Sequence, residues 1–237
     1  MRAPSEAELL ALWERGRTRH PIDRALLLGG FARPDLPSSR LPDLPLGVIN
    51  TALLGLREAS FGPRIEAYLD CERCGERLEF ALDSRQLLAC TGQGDGRSEL
   101  EVAGFRFRPP SSRDLAAVAG EHDVETASRK FLDRCRVDGG NTAWTEDADL
   151  RAEVEAGLEA LDPMADIALE LACEACGHRW VAGLDIGALL WEEIEARARA
   201  LLTEIHLLAH AYGWTEPEIL ALSPERRAIY LEMVDAS

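Results

Sequence analysis

Residues 69–88, LDCERCGERLEFALDSRQLL, and residues 171–190, LACEACGHRWVAGLDIGALL, decide the fold of this chain of 237 residues. The two stretches are identical at ten of twenty positions, at a constant offset of 102 residues. Each contains a Cys-x-x-Cys-Gly motif that is followed by apolar residues in alternation and then by a Leu-Asp pair. Alternation is typical of strands, and an aspartate before an apolar run is typical of a helix N-cap. The repeat therefore predicts two copies of one unit: strand, turn, strand and helix start.

The four cysteines of the two motifs, Cys71, Cys74, Cys173 and Cys176, have the spacing of metal ligands. Two residues between thiolates let one tight turn present both sulfurs to the same ion, and the glycine that follows suits an unusual backbone angle. One motif supplies two ligands, so a tetrahedral site needs both motifs. We therefore predict one structural Zn²⁺ per chain, with no open position for water or substrate. Because 98 residues separate the ligand pairs, two independent buried or redox-active dithiols are the alternative.

The remaining cysteines and the histidines are weaker metal-ligand candidates. Cys90 and Cys135 are isolated, and we expect them to be small, partly buried apolar residues. His178 follows the second motif and is an alternative ligand. His206 and His210 lie four residues apart on a predicted helix, but the sequence between them lacks the glutamate that a zinc protease needs. A helix face that packs in the core or at an interface is the better interpretation of this pair.

The predicted fold class is α+β and mainly helical, with duplicated zinc-ribbon-like knuckles that form one four-cysteine zinc centre between helical arms. Ser5 and Glu8 form a capping-box pattern at the first helix, and Pro21 starts a second helix that Gly29 and Gly30 should end. The predicted units are an N-terminal helical arm, a first knuckle unit, an inserted hairpin with helices, a second knuckle unit and a C-terminal helical arm, over residues 1–64, 65–90, 91–165, 166–190 and 191–237.

The charge of the chain restricts its partners. It holds 42 acidic and 26 basic residues, a formal net charge of −16, so phosphate backbones are repelled by most of its surface. We therefore expect no nucleic-acid binding. We also expect no membrane insertion, since no run approaches about 18 apolar residues. Acidic residues interrupt the N-terminal segment where a signal peptide would be apolar. Cytoplasmic synthesis and assembly are therefore expected, and reduced thiols there favour metal binding over disulfides.

Catalytic motifs are missing from the sequence. It contains no glycine-rich phosphate loop and no Gly-x-Ser-x-Gly elbow, so we expect a protein that is not an enzyme and has no small-molecule substrate. Two alternatives stay open. A zinc-ribbon nucleic-acid-binding adaptor is motivated by Arg73, Arg77 and Arg179 beside the motifs. A dithiol oxidoreductase is motivated by the Cys-x-x-Cys motif itself.

Several segments together resemble the T4-type phage baseplate protein family found in gene clusters of contractile phage-tail-like injection systems. They are HPIDRALLL (20–28), the stretch from DLPLGVINTALLGL to the first motif (43–76), FRFRPPSSRDLAA (105–117) and EIHLLAHAYGWTEPEILALSPERRAIYLEMV (204–234). The resemblance covers nearly the whole chain, and its most specific parts are the twin Cys-x-x-Cys motifs and Tyr212-Gly213-Trp214.

This resemblance implies a structural or assembly component of a baseplate, which docks onto other baseplate, spike or tube proteins of the same particle. The particle is one that can later be released from the cell. Tyr212, Trp214 and Tyr230 are the candidate partner-binding residues, because tyrosine and tryptophan are enriched at interface hot spots. The same aromatic residues also suit a core position.

Overall fold

A long helix, α8 (Ile186–Tyr212), is the centre of the fold in the computed structural model, which describes residues 1–89, 97–140 and 143–235. Helices α1 (Glu6–Gly16), α2 (Pro21–Ala32), α3 (Leu46–Phe61) and α10 (Pro224–Asp235) pack around it. Its buried stripe recurs every three or four residues, as expected for a helix with one apolar face: Leu190, Ile194, Ala198, Leu201, Ile205 and Leu208. The chain is mainly helical with small sheets, as predicted.

Local sequence signals set most helix ends. The capping box at α1 is present: the Ser5 hydroxyl accepts from the Glu8 N–H, and the Glu8 carboxylate accepts from the Ser5 N–H. The predicted end of α2 at Gly29 and Gly30 is wrong, because the helix continues to Ala32. Two glycines in a helix cost about 2 kcal/mol relative to alanine. Burial of the flanking apolar side chains of α2 against the core offsets that cost.

The start of α3 is stabilised by residues from distant parts of the chain. Its own N-cap, Pro45, offers no side-chain acceptor. The Asp162 carboxylate instead accepts from the Gly47 N–H at 3.0 Å, and the Asn50 side-chain amide donates to the Met164 carbonyl at 2.8 Å. The segment that ends the inserted region is therefore fixed to the N-terminal half, and a short 3₁₀ helix, Leu41–Asp43, precedes this junction.

The strands within the described ranges form three antiparallel hairpins. The first consists of β1 (Arg64–Asp70) and β2 (Arg77–Asp83), and α4 (Ser84–Ala89) follows it. The second consists of β3 (Leu100–Val102) and β4 (Phe105–Phe107), which turn at Ala103 and Gly104. The third consists of β5 (Ala168–Ala172) and β6 (Arg179–Gly183), and it leads directly into α8.

The inserted region carries a second, smaller apolar cluster. Its other elements are α5 (Ser112–Val118), α6 (Val124–Cys135), a 3₁₀ helix at Ala143–Glu146 and α7 (Ala148–Leu161). Phe107 is fully buried there, with the Trp144 ring packed edge-on at 5.1 Å. The main members of this cluster are Leu100, Val102, Phe107, Leu132, Cys135, Trp144, Val154 and Leu158. The larger cluster joins helices from both predicted arms around α8, while the five-part division of the chain stays a prediction.

A partly buried ion network connects α1, α8 and α10. Arg227 of α10 is only 1% exposed, and its guanidinium donates to Glu6 of α1 and to Glu204 of α8. Arg197 donates to the same two carboxylates at 2.6 and 2.7 Å. Because each carboxylate contacts two guanidiniums, the four side chains fix three helices relative to one another. Between α8 and α10 lies the short α9 (Glu216–Leu220), which the sequence reading missed.

Among the described residues, no helix combines the length and the apolar character that a membrane crossing requires.

Candidate metal centre

The first and third hairpins share one register. In the first, Asp70 pairs with Arg77 next to the turn, and in the third Ala172 pairs with Arg179. Both members of the second pair lie 102 residues after those of the first, which is the offset of the sequence repeat. After each hairpin a helix starts at the equivalent position, and the Asp185 carboxylate caps α8 by accepting from the Ala188 N–H. The two repeat units therefore have the same strand, turn and helix-start plan.

The two turns also share their hydrogen bonds. The Gly75 N–H donates to the Cys71 carbonyl at 2.8 Å, and the Gly177 N–H donates to the Cys173 carbonyl at the same distance. Gly75 has a φ of +74° and Gly177 a φ of +71°, a left-handed conformation that side chains with a Cβ rarely adopt. The glycine after each second cysteine is thus required by the backbone of the turn.

Four sulfur atoms from the two turns meet in one place. The Sγ atoms of Cys71 and Cys176 lie 3.7 Å apart, and those of Cys74 and Cys173 lie 3.6 Å apart. All four Sγ atoms lie within 4.8 Å of one another. A tetrahedral ion with ligand bonds of about 2.3 Å places its sulfurs about 3.8 Å apart. The four predicted ligands are therefore close together, and their spacing suits a single metal ion.

Burial differs between the two cysteines of each turn. Cys71 is 3% exposed and Cys173 is 2% exposed, whereas Cys74 is exposed and Cys176 is half-buried. The first sulfur of each turn thus lies inside the protein and the second lies nearer to solvent. This placement leaves one side of the cluster open for an ion to enter while the site forms.

The thiols interact strongly with one another. Burial raises the pKa of the Cys71 thiol, but the N–H groups of Cys74 and Arg73 that donate to its sulfur outweigh burial and lower the pKa to about 7. The Glu76 N–H lowers the pKa of the Cys74 thiol, but the Cys176 sulfur and desolvation raise it to about 12. The Cys71 thiol therefore loses its proton far more readily than the Cys74 thiol. A divalent cation would favour the thiolate form of every cysteine that it binds.

The other candidate ligands lie outside this cluster. The His178 ring stacks on the Trp180 ring at 5.5 Å, and it is not part of the four-residue group. Cys135 is fully buried in the smaller apolar cluster, where desolvation raises its pKa to about 12. It behaves as the predicted apolar residue, while Cys90 lies outside the described residues. His206 and His210 stack at 6.4 Å on the exposed face of α8, so they do not pack in the core, and an interface role for this pair stays a prediction.

The three aromatic residues predicted to bind partners form one cluster near the end of α8. The rings of Tyr212 and Trp214 stack at 4.7 Å, and the Tyr230 ring contacts both edge-on. Tyr212 is 38% exposed, whereas Trp214 and Tyr230 are half-buried against the large apolar core. Their role in partner binding stays a prediction.

Arg77, beside the first turn, has interaction partners within the protein that the sequence analysis did not predict. The Arg77 guanidinium donates to the Asp70 carboxylate at 3.1 Å and lies over the Tyr68 ring at 4.4 Å. The contact with Asp70 could have been predicted from the sequence, because residues directly opposite each other in a hairpin contact one another. Arg77 is thus engaged within the protein, which weakens its use as a phosphate contact.

Comparisons with protein-family models, with curated proteins and with solved structures find no match to this chain.

Proposed function

We propose that this protein is a non-enzymatic structural or assembly component of the baseplate of a contractile injection system, stabilised by one structural Zn²⁺. The two Cys-x-x-Cys hairpins act in this proposal as zinc-ribbon-like knuckles. The protein docks onto other baseplate, spike or tube proteins of the same particle.

The observation that carries the structural role is the meeting of four sulfurs from two cysteine pairs that 98 residues separate in the chain. Four thiolates complete a tetrahedral shell and leave no position for a substrate or an activated water, which is the arrangement of structural zinc sites. The ion would close a long loop and hold the two hairpins together. Such a centre supplies rigidity, which is what a component of a large assembly needs.

The choice of zinc follows from the donor set and the spacing. An all-sulfur tetrahedral site favours zinc or iron–sulfur chemistry. Sulfurs within 4.8 Å of one another suit a single ion and leave too little room for a cluster of several irons and sulfides. A single iron is the remaining competitor, and metal analysis distinguishes the two ions.

The baseplate role is supported by the resemblance of segments along the whole chain to the baseplate family, and by the lack of catalytic motifs in the sequence. The acidic net charge of −16 disfavours the adaptor alternative, since nucleic-acid binding depends on basic surfaces. The oxidoreductase alternative is disfavoured because four mutually close sulfurs form a ligand set, whereas a redox motif needs one isolated pair.

Two experiments test the proposal. Particles purified from cells with and without the gene are compared for baseplate assembly and contraction; normal contractile particles in its absence would overturn the baseplate role. Metal analysis of the purified chain should give about one zinc per chain. A metal-free protein with reversible disulfides would overturn the structural-zinc assignment and favour the redox alternative.

A further inference from the structure

A groove runs between α1, α2 and the connection after α2. It has a volume of about 650 Å³, in the range of pockets that hold ligands. Leu12 and Leu41 are buried beneath it, at 4% and 2% exposure, and Leu27 and Phe31 are half-buried along it. Because α2 has twelve residues, the groove can follow about 18 Å of helix. Its dimensions suit the apolar side chains along one face of a short helix.

The rim of the groove is basic. Arg2, Arg15 and Arg19 line it, and no acidic side chain does so among the residues that the structure describes. Arg2 lies over the Phe31 ring at 5.1 Å and is 65% exposed while it pairs with Glu8. Arg15 and Arg19 are exposed, and neither makes an ion pair within the described ranges. Two guanidiniums are thus available at the edge of an apolar surface.

The basic rim contrasts with the rest of the molecule. Residues 1–41 hold seven basic and five acidic residues, whereas residues 42–237 hold 19 basic and 37 acidic residues. A basic, partly apolar groove on an acidic protein attracts acidic partners and repels basic ones. Arginine also pairs with carboxylates in a bidentate geometry that fixes the orientation of the partner.

We infer that this groove binds an acidic amphipathic helix of a partner protein. Apolar side chains of that helix, spaced three or four residues apart, fill the surface over Leu27 and Phe31. Its carboxylates pair with Arg15 and Arg19. The inference rests on the proposed function, since it names the kind of surface with which an assembly component would dock.

The test uses the full-length protein and a fluorescent synthetic helix of about four turns, with leucine along one face and glutamate elsewhere. Fluorescence anisotropy should show binding that weakens as salt is raised. The double variant Arg15→Glu and Arg19→Glu should bind the peptide at least about tenfold more weakly, since two charged contacts are reversed. A peptide with lysine in place of glutamate is attracted by the acidic surface outside the groove, so any binding that it shows should not be weakened by the same double variant.

A charge-matched control variant, Arg179→Glu with Arg226→Glu, reverses two exposed arginines outside the groove and should keep the peptide affinity. Equal loss in both double variants would overturn the inference, because it would reflect net charge alone. Absence of peptide binding would overturn it too. Binding of a fatty acid, laurate, without binding of the peptide would overturn the inference as well, because the groove would then hold a small apolar ligand. Self-association of the chain that the Arg15→Glu and Arg19→Glu double variant abolishes would also overturn it, because the occupant would then be a second copy of the protein. These results leave the gene-deletion and metal experiments unaffected, so the two proposals fail separately.

Discussion

Cys173→Ser is the substitution that most directly tests the metal centre. Cys173 is 2% exposed, and its sulfur lies 3.6 Å from that of Cys74 in the other hairpin. Serine preserves the size of the side chain but removes one of four thiolates. A three-sulfur site no longer satisfies a tetrahedral ion, so we expect the variant to lose its metal.

The expected cost follows from the loop that the proposed metal would close. The chain between Cys74 and Cys173 contains 98 residues. A cross-link over a loop of about 100 residues contributes about 4.7 kcal/mol in the chain-entropy treatment developed for disulfides. Binding of the ion to unfolded cysteines reduces this value, so we expect the free energy of unfolding to fall by about 4 kcal/mol. For a chain of this size that corresponds to a decrease in Tm of about 10 °C.

Urea denaturation and metal analysis of the same samples measure both effects. Cys135→Ala is the control, because it removes a buried thiol outside the cluster and should keep the full metal content. The double variant Cys71→Ser with Cys173→Ser should be no less stable than either single variant, since the ion is already lost. Additive losses, or a metal content that the single variant retains, would show that the two hairpins do not share one ion.

Three further predictions concern the helical core. Arg227→Met should lower the free energy of unfolding by about 3 kcal/mol, because it removes one guanidinium partner from each of two carboxylates in the ion network. The control is Arg199→Met: Arg199 is 70% exposed, and its loss should lower the free energy of unfolding by at most about 0.5 kcal/mol. Burial raises the pKa of the Glu6 carboxyl, but hydrogen bonds from Arg227 and Arg197 lower it by more, so the net pKa is below its ordinary value. The ionised carboxylate therefore stabilises the fold at pH values above the ordinary pKa, and this stability is lost as the pH falls. Glu6→Gln should reduce the loss of unfolding free energy at acid pH, measured by urea denaturation over a pH series, and an unchanged loss would contradict this. Gly47→Ala should destabilise by about 2 kcal/mol in thermal unfolding, since a methyl group there would meet the carboxylate that caps α3, while Gly120→Ala, with open space around it, should not.

The repeat units were predictable from sequence because their signals are local. The spacing of Cys71 and Cys74, the glycine that follows and the alternation of apolar residues are set by one turn and two strands. The sequence also predicts two helices at about Val124–Cys135 and Ala148–Leu161, and α6 and α7 have these bounds. An aspartate N-cap, Asp123 or Asp147, marks the start of each helix.

The features that sequence reading missed depend on contacts between distant residues. No local pattern shows that Asp162 caps α3, since the two are more than 100 residues apart. The sequence alone predicts an exposed position for Arg227, because arginine is rarely buried without a partner. Its carboxylate partners, Glu6 and Glu204, come from the distant helices α1 and α8. The missed helix α9 is different, because its capping box of Thr215 and Glu218 is visible in the sequence.

The long reach of the cysteine centre also has a consequence for synthesis on the ribosome. The second Cys-x-x-Cys motif is translated 102 residues after the first. At about 5–20 residues per second this is a delay on the order of 5–20 seconds. Helices α1 to α3 remain uncovered for longer still, because α8 follows the second motif. A nascent chain thus exposes two of the four clustered cysteines and several apolar helices, and the proposed ion can contact all four sulfurs only after Cys176 has been translated.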